Sequence, residues 1–139
     1  FTLVEPWEVT NGQGQPYKVF TPFSKTASSQ VAGDGPEGVP ELGTSASIAC
    51  SWPKPTEPAW AASLAEHWTP GEAGARERPA QLDLANYAKE RDIPALNATS
   101  LLSPHLRFGE VSPREVWFAA AEEPECAKFH SELLWRDFA

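Results

Sequence analysis

Apolar and polar positions alternate in three different ways along this chain. Residues 1–25 carry two short β-prone runs, Phe1–Val4 and Tyr17–Phe20, on either side of Asn11-Gly12-Gln13-Gly14. Asn and Gly tolerate positive φ, so that tetrapeptide predicts a tight turn. Pro16 and Pro22 restrict the flanking runs to strand ends or sheet edges. Two short strands are not stable alone, so the pattern predicts that they belong to a larger sheet. Residues 26–59 keep no period at all: 17 of the 34 are Gly, Pro, Ser or Thr, which predicts an exposed crossing loop. Trp52 and Trp60 are expected to dock that loop on a neighbour.

From residue 60 onward the pattern turns helical. Thr69-Pro70-Gly71-Glu72 and Ser112-Pro113-Arg114-Glu115 both read as capping boxes with Pro at the first helical position. Ser103-Pro104 is a third start, with Gly109 as its stop. Leu84, Tyr87, Ala88 and Arg91 follow an i, i+3, i+4, i+7 spacing on a helix that must end before Pro94. Val116, Phe118, Ala119 and Ala120 continue the helix begun at Ser112. Phe129, Glu132, Leu133 and Arg136 mark a last helix. Pro79 should kink or end the helix it falls in. The region reads as all-α.

Composition narrows the functional classes. With 11 Lys and Arg against 19 Asp and Glu, the 139-residue chain carries a formal charge of −8, so any nucleic-acid contact must be local rather than a matter of bulk charge. The longest apolar run, Val116 to Ala121, is far short of the ~20 residues a membrane helix requires. Cys50 and Cys126 are far apart and lack ligand spacing, which predicts a reduced, cytoplasmic protein without a metal centre. The chain holds no Met and opens on Phe1, as the middle of a longer protein would.

Two polar constellations could carry chemistry. Thr99-Ser100-Leu101-Leu102-Ser103-Pro104 places three hydroxyls just ahead of a helix, a pattern that serves either for capping or for holding a phosphate. Glu132, Trp135 and Arg136 stand at i, i+3, i+4. They form either a Glu132–Arg136 ion pair beside a core indole, or a carboxylate, indole and guanidinium arranged to meet a planar ring. His67, His105 and His130 have no Ser or Cys partner in the sequence and no metal-ligand spacing.

Taken in order, Tyr17-Lys18-Val19-Phe20-Thr21-Pro22-Phe23, Tyr87 with Arg91-Asp92-Ile93-Pro94, Thr99 to Arg114, and Glu132-Leu133-Leu134-Trp135-Arg136-Asp137-Phe138 resemble the DNA photolyase/cryptochrome family. The resemblance implies a mainly α chain: the first helices of the FAD-binding helical domain (60–139), preceded by the tail of an α/β antenna domain (1–25) and an interdomain linker (26–59). It implies that Thr99, Ser100 and Ser103, with the backbone of Leu101 and Leu102, hold the FAD pyrophosphate, helped by Tyr87. Arg136 would lie against the flavin, and Arg91 would face the DNA backbone. Glu132 and Trp135 would line the pocket for a flipped-out pyrimidine dimer and be its catalytic residues.

The activity so implied is light-driven splitting of cyclobutane pyrimidine dimers by reduced FAD, with UV-damaged DNA as partner. An antenna chromophore, folate or deazaflavin, would sit in an N-terminal domain, and the whole would be a cytoplasmic monomer. The alternative is a cryptochrome, a blue-light photoreceptor without repair. Keeping both Glu132 and Trp135 favours dimer repair. Three positions depart from the family pattern: Ala98 replaces a usual Gly, Leu101 a common basic residue, and His105 a common Tyr. The chain would be only part of such a protein, and inactive alone.

Overall fold

The computed structural model describes residues 2–31, 35, 51, 53, 56–64 and 66–139, with only the backbone of Ala80. The expectations placed on Phe1, Cys50 and Trp52 lie outside the described residues. Among the described residues six α-helices follow one another: α1 (Phe20–Val31), α2 (Glu72–Ala80), α3 (Tyr87–Glu90), α4 (Ser103–Phe108), α5 (Pro113–Ala120) and α6 (Cys126–Phe138), with a 3₁₀ turn at Ala59–Ala61. No strand occurs among the described residues; the lone bridge pairs Thr10 with Pro16. That bridge closes the turn expected at Asn11–Gly14, where the Asn11 side chain accepts from the N–H groups of Gln13 and Gln15 and Gly14 takes a φ of 73°. No described helix is long and apolar enough to cross a membrane.

The first departure from the sequence pattern is α1. Tyr17–Phe20 does not form a strand; it leads into a helix that runs through Val31, so residues 26–31 belong to no loop. Pro22 is tolerated because it falls in the first turn, where a missing N–H breaks no helical bond. Phe23, Ala27 and Val31, spaced i, i+4, i+8, are all buried, and their burial against α6 is what makes the segment a helix. The Tyr17 and Thr26 hydroxyls bond at 2.9 Å and brace the entry to α1. Trp60, expected to dock the loop, is 70% exposed.

α6 organises the rest, since α1, α3 and α5 all pack on it. Its Phe129, Leu133 and Leu134 meet Val116, Trp117 and Ala120 of α5 within one apolar core. Each fully buried Leu, Val or Phe contributes about 1.5–3 kcal/mol. His130 of α6 stacks on Trp117 at 3.8 Å and donates from Nε2 to the Trp117 carbonyl; burial lowers the imidazole pKa.

The helix starts come out unequally. Ser112 caps α5 with both halves of the box: its Oγ accepts from the Arg114 N–H, and Glu115 accepts from the Ser112 N–H. The box expected at Thr69 is absent. Gly71 takes a φ of 95°, the cap position falls on Gly71, and α2 begins only at Glu72. Pro79 stands one residue before the end of α2, as expected of a helix terminator. Gly109 ends α4 at a φ of 69°. Leu84 and Tyr87 of the expected stripe are buried and Arg91 partly so, but Ala88 is exposed, and only Tyr87–Glu90 is helical, a single turn.

Candidate functional site

The loop ahead of α4, the single turn of α3 and the polar side of α6 enclose a cleft of about 640 Å³. Nine of the ten side chains singled out by sequence line it: Tyr87, Arg91, Thr99, Ser100, Leu101, Leu102, Ser103, Glu132 and Arg136. They come from positions up to 49 residues apart, and no short-range pattern could have gathered them. Trp135 is the exception. It lies on the α1 side of α6, 43% exposed, stacked on Phe20 at 3.8 Å with rings 8° from parallel. Phe138 meets its edge at 5.6 Å.

The hydroxyl loop has an unusual backbone. Leu101 sits at a φ of 55°, the sole non-glycine with positive φ among the described residues. A left-handed leucine costs about 1–2 kcal/mol, and such strain persists where the surroundings impose it, most often at ligand sites. Leu102 is buried and anchors the loop, while Thr99 and Ser103 are exposed. The Ser100 hydroxyl accepts weakly from the Leu102 N–H at 3.4 Å. Two hydroxyls therefore remain turned outward at the mouth of the cleft.

Opposite them is a charged cluster. Arg91 donates from Nη1 to Glu132 Oε1 at 2.7 Å and from Nε to Asp92 at 3.2 Å, with its guanidinium 5.5 Å above the Tyr87 ring. Lys128 reaches the same Glu132 Oε1 at 2.8 Å. Partial burial alone would raise the Glu132 pKa, but the hydrogen bonds from Lys128 and Arg91 outweigh it and hold the carboxyl below its ordinary value. Burial moves the Tyr87 phenol the other way, upward. Of the two readings of this helix face, the ion pair on Glu132 is made by Arg91 and Lys128, while Arg136 contacts Asp137 at 3.4 Å.

One residue escaped the sequence reading. Glu110 accepts from His105 Nδ1 at 2.6 Å and from the Gly71 N–H at 2.9 Å, which ties α4 to the start of α2. The His105 bond and the Gly71 N–H lower its pKa. His105 is 2% exposed, and among the described residues its Nε2 has no hydrogen-bond partner. The i, i+5 spacing across Gly109 could have suggested the His105–Glu110 pair, since a left-handed stop turns the chain back on its helix. The bond to Gly71, 39 residues away, carries no local signal.

Comparison with known proteins identifies relatives of the chain. A family model described as DNA photolyase matches residues 1–43. The deoxyribodipyrimidine photo-lyase of Agrobacterium fabrum is 36% identical over 98% of this chain, which spans 32% of that protein. Cryptochrome-1 of Arabidopsis thaliana is 33% identical over 83% of this chain and 18% of its own length. The crystal structure of a bacterial class III photolyase from Agrobacterium tumefaciens superposes with a TM-score of 0.75 at 36% identity, over 99% of this chain and 32% of that one. The chain therefore spans about a third of the curated photolyases it matches. Similarity in sequence and in fold runs through nearly every residue, and the helices match those of a photolyase: the chain belongs to the DNA photolyase/cryptochrome family.

Proposed function

We propose that this chain forms one wall of the FAD and lesion site of a deoxyribodipyrimidine photolyase, a cytoplasmic enzyme that repairs UV-damaged DNA with light. The observation that carries the reading is the convergence of nine family-matched residues on a single cleft. Photolyase names among the relatives and the class III photolyase neighbour support it. Residues 1–25 would be the tail of an antenna domain, which in the whole protein would bind a folate or deazaflavin chromophore.

The donor set fits FAD. Thr99 and Ser103 present outward hydroxyls, Ser100 a third, and Tyr87 a phenol, all donors suited to a pyrophosphate. The Leu101 backbone, held at positive φ, directs the loop between them. Arg136 lines the same cleft and supplies positive charge on the flavin side. FAD, when bound and reduced, supplies the electron that light delivers to the pyrimidine dimer. This chain's own part is to hold and to select. Glu132, kept ionised by its two cations, is an acceptor for a pyrimidine edge. Trp135 lies outside this cleft, with one face of its indole on Phe20; its other face would be the flat apolar wall for a base taken out of the stack, which is cheapest at a damaged step. Arg91 would leave Glu132 for a DNA phosphate as the duplex arrives.

The test is FAD content. Changing Thr99, Ser100 and Ser103 together to Ala in the intact gene product removes several donors to a charged acceptor, each worth about 1.5–3 kcal/mol. The purified variant should be colourless. Stoichiometric FAD in that variant would refute the assignment. A wild type that holds FAD but binds damaged and undamaged duplexes alike would turn the reading to a cryptochrome.

A further inference from the structure

Lys128 stands where helix energetics gives it no reason to be. It is the third residue of α6, in the first turn, where the helix dipole disfavours a cation. Its partner Glu132 follows it at i+4, and Lys ahead of Glu is the weaker order for such a pair. The Lys128 side chain is 43% exposed, so the pair adds little to stability. What it does is local. Lys128 and Arg91 both approach the same oxygen of Glu132, Oε1, at 2.8 and 2.7 Å. Glu132 lines the cleft; Lys128 does not.

We propose that Lys128 is a positioning residue for Glu132: it anchors Oε1 from outside the cleft, leaving Oε2 as a fixed acceptor for ligand. The proposal rests on the reading of Glu132 as the residue that meets the pyrimidine edge. Its use follows from the second cation. If Arg91 moves to a DNA phosphate, Glu132 loses one of its two partners at the moment it must accept a hydrogen bond. Lys128, on the same helix, stays. The other charged groups nearby leave this role to it. Tyr87 of α3 bonds to Arg91, and Asp92 lies on the far side of Arg91. Arg136 is turned to Asp137. On α5, Arg114 is bound to the Leu3 carbonyl and Glu115 to its own cap. Lys25 of α1 lines a separate groove beside His130.

The experiment measures the preference for dimer-containing over undamaged duplex from about pH 7.5 to about pH 5, in the intact gene product with FAD bound. Wild type and Lys128→Arg should hold a constant preference. Lys128→Met should lose preference as the pH falls, by up to about twofold at the acid end, because more of Glu132 is then protonated and stops accepting. Glu132→Gln should be low and flat throughout. A Lys128→Met variant that tracks wild type, while Glu132→Gln is impaired, overturns the role of Lys128 alone. Glu132→Gln indistinguishable from wild type overturns the underlying reading of Glu132, and the proposal with it. Loss of FAD from Lys128→Met would mean that the residue acts through the fold, which also counts against the proposal.

Discussion

Two carboxylates on α6, at Glu132 in the cleft and at Asp137 near the end of the helix, are held by opposite physics. Asp137 is 1% exposed at its side chain. It accepts from the Leu3 N–H at 2.6 Å and from the Val4 N–H, while Arg114 donates to the Leu3 carbonyl at 3.1 Å. Burial raises its pKa, and the two backbone donors offset this only in part. Glu132 is partly open, has two cations on one oxygen, and has its pKa lowered. Asp137 has its bonding satisfied by the chain itself and acts as an anchor for the N-terminal segment. Glu132 holds two cations on one oxygen and lines the cleft, which is the condition of a group meant for a ligand.

The contrast is sharpest under truncation. Asp137→Ala should strip two backbone donors of their acceptor and lower stability by about 2–4 kcal/mol, read as a fall in the denaturant midpoint. Glu132→Ala should change it by less than about 1 kcal/mol. Equal losses would erase the distinction. Next comes Gly109→Ala, which forces an L-residue into the left-handed region at φ 69°. It should cost about 1–2 kcal/mol and loosen the cleft side, where Glu110 follows, with the Asp137 anchor intact.

Arg91 separates the two regions by salt rather than stability. Arg91→Ala should weaken damaged and undamaged duplexes alike and reduce the salt slope of binding by about one unit. An unchanged slope would mean that Arg91 serves only Glu132. The smallest effects are in pH. Asp137, raised above its ordinary 3.8, adds stability that is complete below that value and is lost as pH rises through its folded pKa. Glu132, lowered from 4.5, adds stability that is present above 4.5 and is lost as pH falls through its folded pKa. Asp137→Asn and Glu132→Gln should therefore tilt the acid limb of the stability curve in opposite directions, and parallel tilts would contradict the account.

What the sequence made legible was local. The Ser112 box formed because its donors and acceptors lie within four residues. The same signature failed at Thr69, where Gly71 and the long-range bond from its N–H to Glu110 set the helix start instead. α1 was hidden by β-prone residues and Pro22, although Phe23, Ala27 and Val31 carried the helical spacing. At the site, the hydroxyl loop and the polar face of α6 were readable, and the Lys128–Glu132 spacing was as visible as the Glu132–Arg136 spacing. That Glu132 would also take Arg91 depended on packing α3 against α6, which no single helix encodes.

The most direct measurement is paired binding of FAD-loaded protein to dimer-containing and undamaged duplexes, comparing wild type with Glu132→Gln and Trp135→Ala. The account predicts a wild-type preference for the dimer that falls about tenfold or more in each variant, since base stacking alone is worth about 1–3 kcal/mol. FAD content and affinity for undamaged DNA should hold, because phosphate contacts carry the latter. Equal losses on both duplexes would make Glu132 and Trp135 structural like Asp137, and would contradict the claim that α6 is built to meet a ligand.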